Sequence, residues 1–178
     1  MHNKSEIIQA LQDQSIEFQT LFSSIPTEQF FAAPSERWSI AHHVQHLTSV
    51  INRVGGGLAN PSVLPPREAS PSRDFLTIQQ SYLSTLKDVP SEKLREVGSR
   101  VTLEERQDFE TYKNQMISSL AGAITTFNTA LGGFAEEHLE TLGMPHPFMG
   151  LLSSREMAFF TVYHNTHHQN GIKKLLEL

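Results

Sequence analysis

Three of the nine histidines of this chain fall within five residues near its C-terminal end. The stretch V-Y-H-N-T-H-H-Q-N-G, residues 162–171, contains His164, His167 and His168. Residues four apart lie on one face of a helix, so His164 and His168 can offer two imidazole nitrogens to a single ion. His167 projects about 60° away from His164, toward the flank of the helix. The spacing permits two metal ligands and one bystander, and the alternative is a set of ordinary buried or surface histidines.

A second histidine cluster lies more than a hundred residues upstream, at His42, His43 and His46. Two ligands from one helix and one from another would form a three-histidine site with free coordination positions, as in catalytic zinc centres. A helical wheel favours His43, in the middle of the apolar stripe, over His46 at its edge, and it points His42 away. Since an edge position can still reach the interior of a bundle, the pattern leaves the choice between His43 and His46 open.

The composition limits the kinds of function to consider. The 178-residue chain carries a formal net charge of −5 with scattered basic residues, which argues against a nucleic-acid partner or an anionic membrane surface. It contains no cysteine, so a metal site must use His, Asp or Glu, and the chain supplies no thiolate of its own. The N-terminus lacks the apolar segment of a signal peptide, and no apolar run reaches about 18 residues. We expect a cytoplasmic protein that does not enter a membrane.

Apolar residues recur at three- and four-residue intervals along nearly the whole chain, which predicts helices rather than strands. We expect four long helices and a shorter one at about 73–88, with the proline-rich segment 58–71 as a loop. The triplet Gly55-Gly56-Gly57 is expected to end the second helix, and a capping box of Thr102 and Glu105 to begin the third long one. A second capping box, Ser153 with Glu156, precedes the last helix, after a connector at 142–152. These features predict an all-α protein, a four-helix bundle with a long crossover connection and one additional short helix, in a single domain covering residues 1–178.

Two further residues have competing interpretations. Trp38, immediately before the second helix, is expected to be a packing residue rather than a surface on which a substrate stacks. His146, between two prolines, is expected to be a loop residue rather than a ligand, although its loop could border a pocket.

Two segments of the chain resemble the signatures of the DinB/YfiT-like superfamily. W-S-I-A-H-H-V-Q-H-L, residues 38–47, is similar to the first signature, and the H-P-F-M-G loop followed by a helix with H-N-T-H-H, residues 146–168, is similar to the second. The resemblance implies a divalent metal held by His46, His164 and His168, with His43 and His167 at the rim or orienting a ligand. Two positions depart from the pattern: His42 stands where an acidic residue is common, and Gly171 where a glutamine is common.

The resemblance also suggests a chemistry. Members of the superfamily include S-transferases and isomerases that use low-molecular-weight thiols, alongside proteins with no known activity. We therefore expect a zinc or nickel ion that activates an exogenous thiol or water for transfer or hydrolysis on a small-molecule electrophile. The alternative is a non-catalytic metal-binding or interaction bundle, associated with stress. The apolar helices also make a homodimer an expectation.

Overall fold

The computed structural model describes residues 1–33, 38–68, 70–93, 96, 102–103 and 108–176 of the chain. Its helices and strands follow in chain order: α1 Lys4–Ser24, α2 Thr27–Phe31, α3 Ile40–Ala59, a 3-10 turn Pro61–Val63, α4 Phe75–Asp88, α5 Phe109–Gly133, α6 His138–Thr141, β1 Gly143–His146, β2 Gly150–Ser153 and α7 Ser154–Leu175. None of the described helices has both the length and the apolarity that a membrane crossing requires.

The four long helices form a bundle in which α1 and α3 each pack against both α5 and α7. Near the two ends of α1, the carbonyls of Ile8 and Ile25 accept hydrogen bonds from Asn128 and Lys113, so α1 and α5 run antiparallel. Other contacts make α7 parallel to α1 and antiparallel to α3. Therefore α3 and α5 run in the same direction, which requires a long connection between them. This arrangement confirms the all-α bundle with a crossover and one short helix, α4, which packs on α7.

The predicted inward faces of the long helices are buried. The apolar residues at three- and four-residue spacing in these helices are almost fully removed from solvent, among them Leu11, Phe18, Phe22, Leu47, Ile51, Leu120, Phe127 and Phe160. Burial of side chains of this size stabilises a fold by about 1.5–3 kcal/mol each. The amphipathic stripes thus set which face of α3 and α7 points inward, and with it the direction of their histidines.

The glycine triplet does not end α3, contrary to the prediction. The helix continues through Gly55, Gly56 and Gly57 to Ala59. A β-carbon on Gly55 would lie only 3.4 Å from the Phe127 α-carbon, so glycine allows α3 and α5 to approach closely. A β-carbon on Gly57 would lie 3.1 Å from Leu64. Packing at these two positions outweighs the low helix propensity of glycine, which costs about 1 kcal/mol per residue.

The connector before the last helix contains a hairpin that the sequence pattern did not predict. β1 and β2 pair antiparallel, from Gly143 opposite Ser153 to His146 opposite Gly150, and Gly150 takes a positive φ of 73°. The crossover is attached to this hairpin, because the Gly143 N–H donates to the Pro65 carbonyl at 2.9 Å. The hairpin thereby holds the His146 loop and the crossover against each other.

The predicted capping box at the start of the last helix is confirmed, whereas the predicted box of Thr102 and Glu105 includes a residue outside the described part of the chain. The Ser153 side chain accepts from the Glu156 N–H, and the Glu156 side chain accepts from the Ser153 N–H, at the start of α7. Glu105, of the proposed box with Thr102, lies outside the described residues, and α5 begins after Asp108, which accepts from the Thr111 N–H at 3.0 Å. Arg73, which precedes α4 within the crossover, donates to Glu156 at 2.8 Å, so the same carboxylate also ties the crossover to α7.

Candidate metal centre

The antiparallel pair α3 and α7 brings the two histidine clusters together. Two bonds set the register: His46 lies opposite His164, and His43 lies opposite His168. The start of α3 is fixed by a capping box in which the Ser39 and His42 side chains satisfy each other's backbone N–H groups. His42 is therefore used in capping the start of α3 and is absent from the cluster. The capped start of α3 and the packing of α3 against α7 together determine where the imidazoles meet.

Three imidazoles converge on one point. The Nε2 atoms of His46 and His164 are 3.2 Å apart, and those of His168 and His164 are 3.1 Å apart. The ligand atoms of all three residues lie within 4.8 Å of one another. A tetrahedral zinc ion with Zn–N distances of about 2.0–2.1 Å would separate two of its nitrogen ligands by about 3.3 Å. Among the described residues, these three histidines are the group whose donors fit a divalent metal.

The surroundings keep the imidazoles neutral, as ligation requires. Burial lowers the pKa of His164 and His168 well below the ordinary value of 6.5, and nearby positive charges act in the same direction. Burial, with a smaller effect from the charge of Arg53, lowers the pKa of His46 to about 4. At neutral pH each ring therefore has an unprotonated nitrogen that can donate its lone pair to an ion.

His43 lies behind the cluster rather than in it. Its Nδ1 is 2.8 Å from Nδ1 of His168, whose Nε2 faces His164. If His168 binds an ion through Nε2, its proton is on Nδ1 and the His43 Nδ1 accepts it. Burial, together with the charges of neighbouring histidines, lowers the pKa of His43 to about 4, so this nitrogen stays free to accept. The structure places His46 in the cluster and His43 beside it, two positions between which the helical wheel left the choice open.

Trp38 covers one side of the cluster. Its ring centroid lies 5.2 Å from that of His43, 5.1 Å from His46 and 5.9 Å from His168, and it stacks nearly parallel on His168. The expectation that Trp38 is a packing residue was too narrow, since the residues it packs on are the histidines of the site. Its position two residues before α3 could have suggested this, because one helical turn separates it from the first histidines.

Tyr82 of α4 forms the opposite side, and it was not identified from the sequence as a site residue. Its buried ring lies 6.1 Å from His164 and 5.6 Å from His167 in edge-to-face arrangements. His167 is half-buried and lies beside the cluster without belonging to it. Only the periodicity of α4 hinted at Tyr82, and periodicity does not show which helix it faces.

The cluster is buried on the side of His164 and His168 and partly exposed to solvent at His46. His164 and His168 are buried, whereas His46, His167 and Trp38 keep partial exposure. Nδ1 of His164 is buried and has no hydrogen-bond partner among the described residues. The three-histidine cluster therefore has one partly exposed side, as an open metal site requires.

Comparison with known proteins identifies the family. The family model of the DinB superfamily matches residues 10–172, and the chain belongs to that superfamily. No significant match to a curated protein or to a solved structure was found.

Proposed function

We propose that this member of the DinB superfamily holds zinc or nickel through His46, His164 and His168 and activates an exogenous thiol or water for attack on a small electrophile. The observation that carries the proposal is the convergence of three imidazoles, with the Nε2 atoms of His46 and His168 at 3.2 and 3.1 Å from Nε2 of His164 and all three ligand atoms within 4.8 Å of one another. Two neutral imidazoles that merely packed together would gain one hydrogen bond. A metal ion better explains three imidazoles whose nitrogens point toward a common position.

A divalent ion in this place would lower the pKa of a thiol or a water and so supply a nucleophile at neutral pH. The chain has no cysteine, and therefore a thiol must come from a cosubstrate. In the transfer reaction the thiol proton passes to solvent and the sulfur forms a bond to the electrophilic carbon. The leaving group then departs with its bonding electron pair. The same scheme with water gives hydrolysis.

The residues of the chain supply positioning and exclusion of water. His43 holds the ring of His168 through the Nδ1–Nδ1 contact, and Trp38 shields His46 and His168 from one side. Tyr82, whose ring lies 6.1 Å from that of His164, would contact an electrophile held next to His164. We place this activity in the cytoplasm, where low-molecular-weight thiols are abundant and reduced.

The test is a panel of thiols and electrophiles assayed with metal-loaded protein. Glutathione and cysteine would be combined with 1-chloro-2,4-dinitrobenzene, and 4-nitrophenyl acetate would report hydrolysis. We expect turnover above that of the same concentration of free ion, and loss of at least about 100-fold in His46→Ala. A loaded protein that does nothing beyond the free ion would leave the non-catalytic metal-binding bundle as the better account.

A further inference from the structure

His146 has a fixed tautomer. It ends strand β1, and its Nδ1 accepts from the backbone N–H groups of Phe148 at 3.2 Å and Met149 at 3.1 Å. Because Nδ1 is an acceptor, the proton of the neutral ring is on Nε2. Burial lowers the pKa of His146 to about 4, so the ring is neutral at physiological pH. The hairpin turn therefore presents a hydrogen-bond donor of defined position.

That donor lies beside the proposed metal centre. The His146 ring packs edge-to-face on the rings of Phe160 and Tyr82, with distances between ring centroids of 4.5 Å and 6.2 Å. Both of these rings also contact His164. The ring centroid of Phe160 lies 4.9 Å from that of His164, and the ring centroid of Tyr82 lies 6.1 Å from it. Phe160 is one helical turn before His164 on α7, so His146 is separated from the cluster by a single layer of side chains.

The outer ring nitrogen of His146 and the hydroxyl group of Tyr82 both lack a hydrogen-bond partner among the described residues. Within the described part of the chain, nothing accepts from the His146 Nε2 or pairs with the Tyr82 hydroxyl, although both residues are more than nine-tenths buried. Neither atom is among the fully buried unpartnered ones, so both are reached by solvent. Buried polar side chains normally have partners, and two unpaired donors on rings that contact each other indicate a ligand that carries an acceptor.

The charge on this side also favours an acceptor oxygen. Arg53 lies two turns after His46 on the same face of α3, and its charge lowers the pKa of His46. It has no ion-pair partner among the described residues. This exposed, unpaired cation near His46 adds a positive field that favours an oxygen bearing full or partial negative charge.

We propose that Tyr82 and His146 donate hydrogen bonds to a carbonyl or carboxylate oxygen of the substrate, which places that oxygen beside His164. This inference rests on the proposed function and narrows it, because the small electrophile becomes a carbonyl compound or a carboxylic acid. Hydrogen bonds to a charged oxygen are the stronger kind, so the pair would contribute to both affinity and orientation.

Substitutions can separate this role from a purely structural one. His146→Asn places an amide oxygen near the position of Nδ1, which keeps an acceptor for the two turn N–H groups and removes the outer donor. His146→Gln keeps a donor near Nε2 and removes the turn acceptor. Tyr82→Phe removes the hydroxyl alone, and Tyr163→Phe is the matched control, since Tyr163 contacts the Tyr82 ring.

The measurement is titration of cobalt-loaded protein with benzoate, followed by the visible absorption of the cobalt ion. We expect Tyr82→Phe and His146→Asn each to weaken benzoate binding by about 10-fold, with cobalt stoichiometry unchanged. Tyr163→Phe should bind as the wild type does, and His146→Gln should be less affected than His146→Asn.

Wild-type benzoate affinity in both Tyr82→Phe and His146→Asn would overturn the inference, as would the absence of saturable benzoate binding to the loaded wild type. These results would leave cobalt loading, and thus the proposed metal site, intact. Failure of the wild type to take up cobalt would overturn the proposed function together with the inference. A turn-holding role alone predicts the reverse order, with His146→Gln the damaging change.

Discussion

At the scale of single residues, the two nitrogens of His168 have different partners. Nε2 faces His164 in the cluster, and Nδ1 contacts His43 at 2.8 Å. Hydrogen bonds to the outer nitrogen of a histidine ligand set its tautomer and hold its ring in place. His43 would thus act on a bound ion only through His168.

Removing this outer bond should weaken metal binding without abolishing it. We expect His43→Ala to lower zinc affinity by about 10- to 100-fold, because the His168 ring loses its orientation, while stoichiometry remains one ion per chain. His43→Asn, which retains an acceptor near Nδ1, should recover part of the loss. Competition with a chromophoric chelator measures the affinity, and His2→Ala controls for the loss of an exposed histidine. Unchanged affinity in His43→Ala would exclude a positioning role.

The sequence alone led to part of this site. The spacing of His164 and His168 on one face was informative, because four residues make one helical turn. The third ligand was ambiguous, since a wheel records which way a side chain points but not its axial level against the neighbouring helix. The antiparallel register of α3 and α7 sets His46 opposite His164. Tyr82 comes from a different part of the chain, and its contact with the site depends on how α4 packs.

At the scale of elements, α3 depends on a glycine where helices normally avoid one. Gly55 lies against the backbone of Phe127, whereas Gly56 is exposed and has no atom within 4 Å of the position of a β-carbon. The two adjacent positions therefore respond to opposite influences, steric exclusion at the first and helix propensity at the second.

The same substitution at these two positions should have effects of opposite sign. We expect Gly55→Leu to destabilise the protein by about 1–3 kcal/mol, since the added side chain forces α3 away from α5. Gly56→Leu should stabilise it by about 0.5–1 kcal/mol, because leucine is the better helix former and meets open space. Urea denaturation followed by circular dichroism measures both. Equal effects at the two positions would contradict the close packing of α3 on α5.

The elements were predictable where a long amphipathic period identified them. The four long helices and α4 follow from apolar residues at helical spacing, which survives small local interruptions. The glycine triplet was misjudged because the contact that overrides it is with Phe127, distant in sequence. The hairpin escaped prediction because each strand has only four residues and β1 contains a proline.

At the scale of the whole molecule, neutral imidazoles are concentrated on one side of the bundle. Burial is the main cause that lowers the pKa of His43, His46 and His146 to about 4. An unfolded chain would protonate the same residues near pH 6.5. Below that value the unfolded state binds more protons than the folded state, so acid favours unfolding.

The metal-free protein should therefore lose stability as the pH falls from about 6.5 to about 4. Each of these histidines contributes up to about 1.4 kcal/mol per pH unit within that window, and nothing above it. Urea unfolding at pH 7.5, 6.0 and 5.0 gives the slope, and His46→Gln should reduce it because one titrating group is removed. Stability that is level or rises between pH 6.5 and 5 would show that the imidazoles are not held neutral.

The central claim is that one ion binds at His46, His164 and His168, and the single tryptophan of the chain can report it. Trp38 lies 5.1 Å from His46 and 5.9 Å from His168 between ring centroids. The most direct measurement is the fluorescence of Trp38 during titration of the metal-free protein with nickel. We predict quenching that saturates at one ion per chain, is reversed by competing zinc, and is lost in His46→Ala, His164→Ala and His168→Ala. Quenching that does not saturate, or that persists in all three variants, would contradict the account.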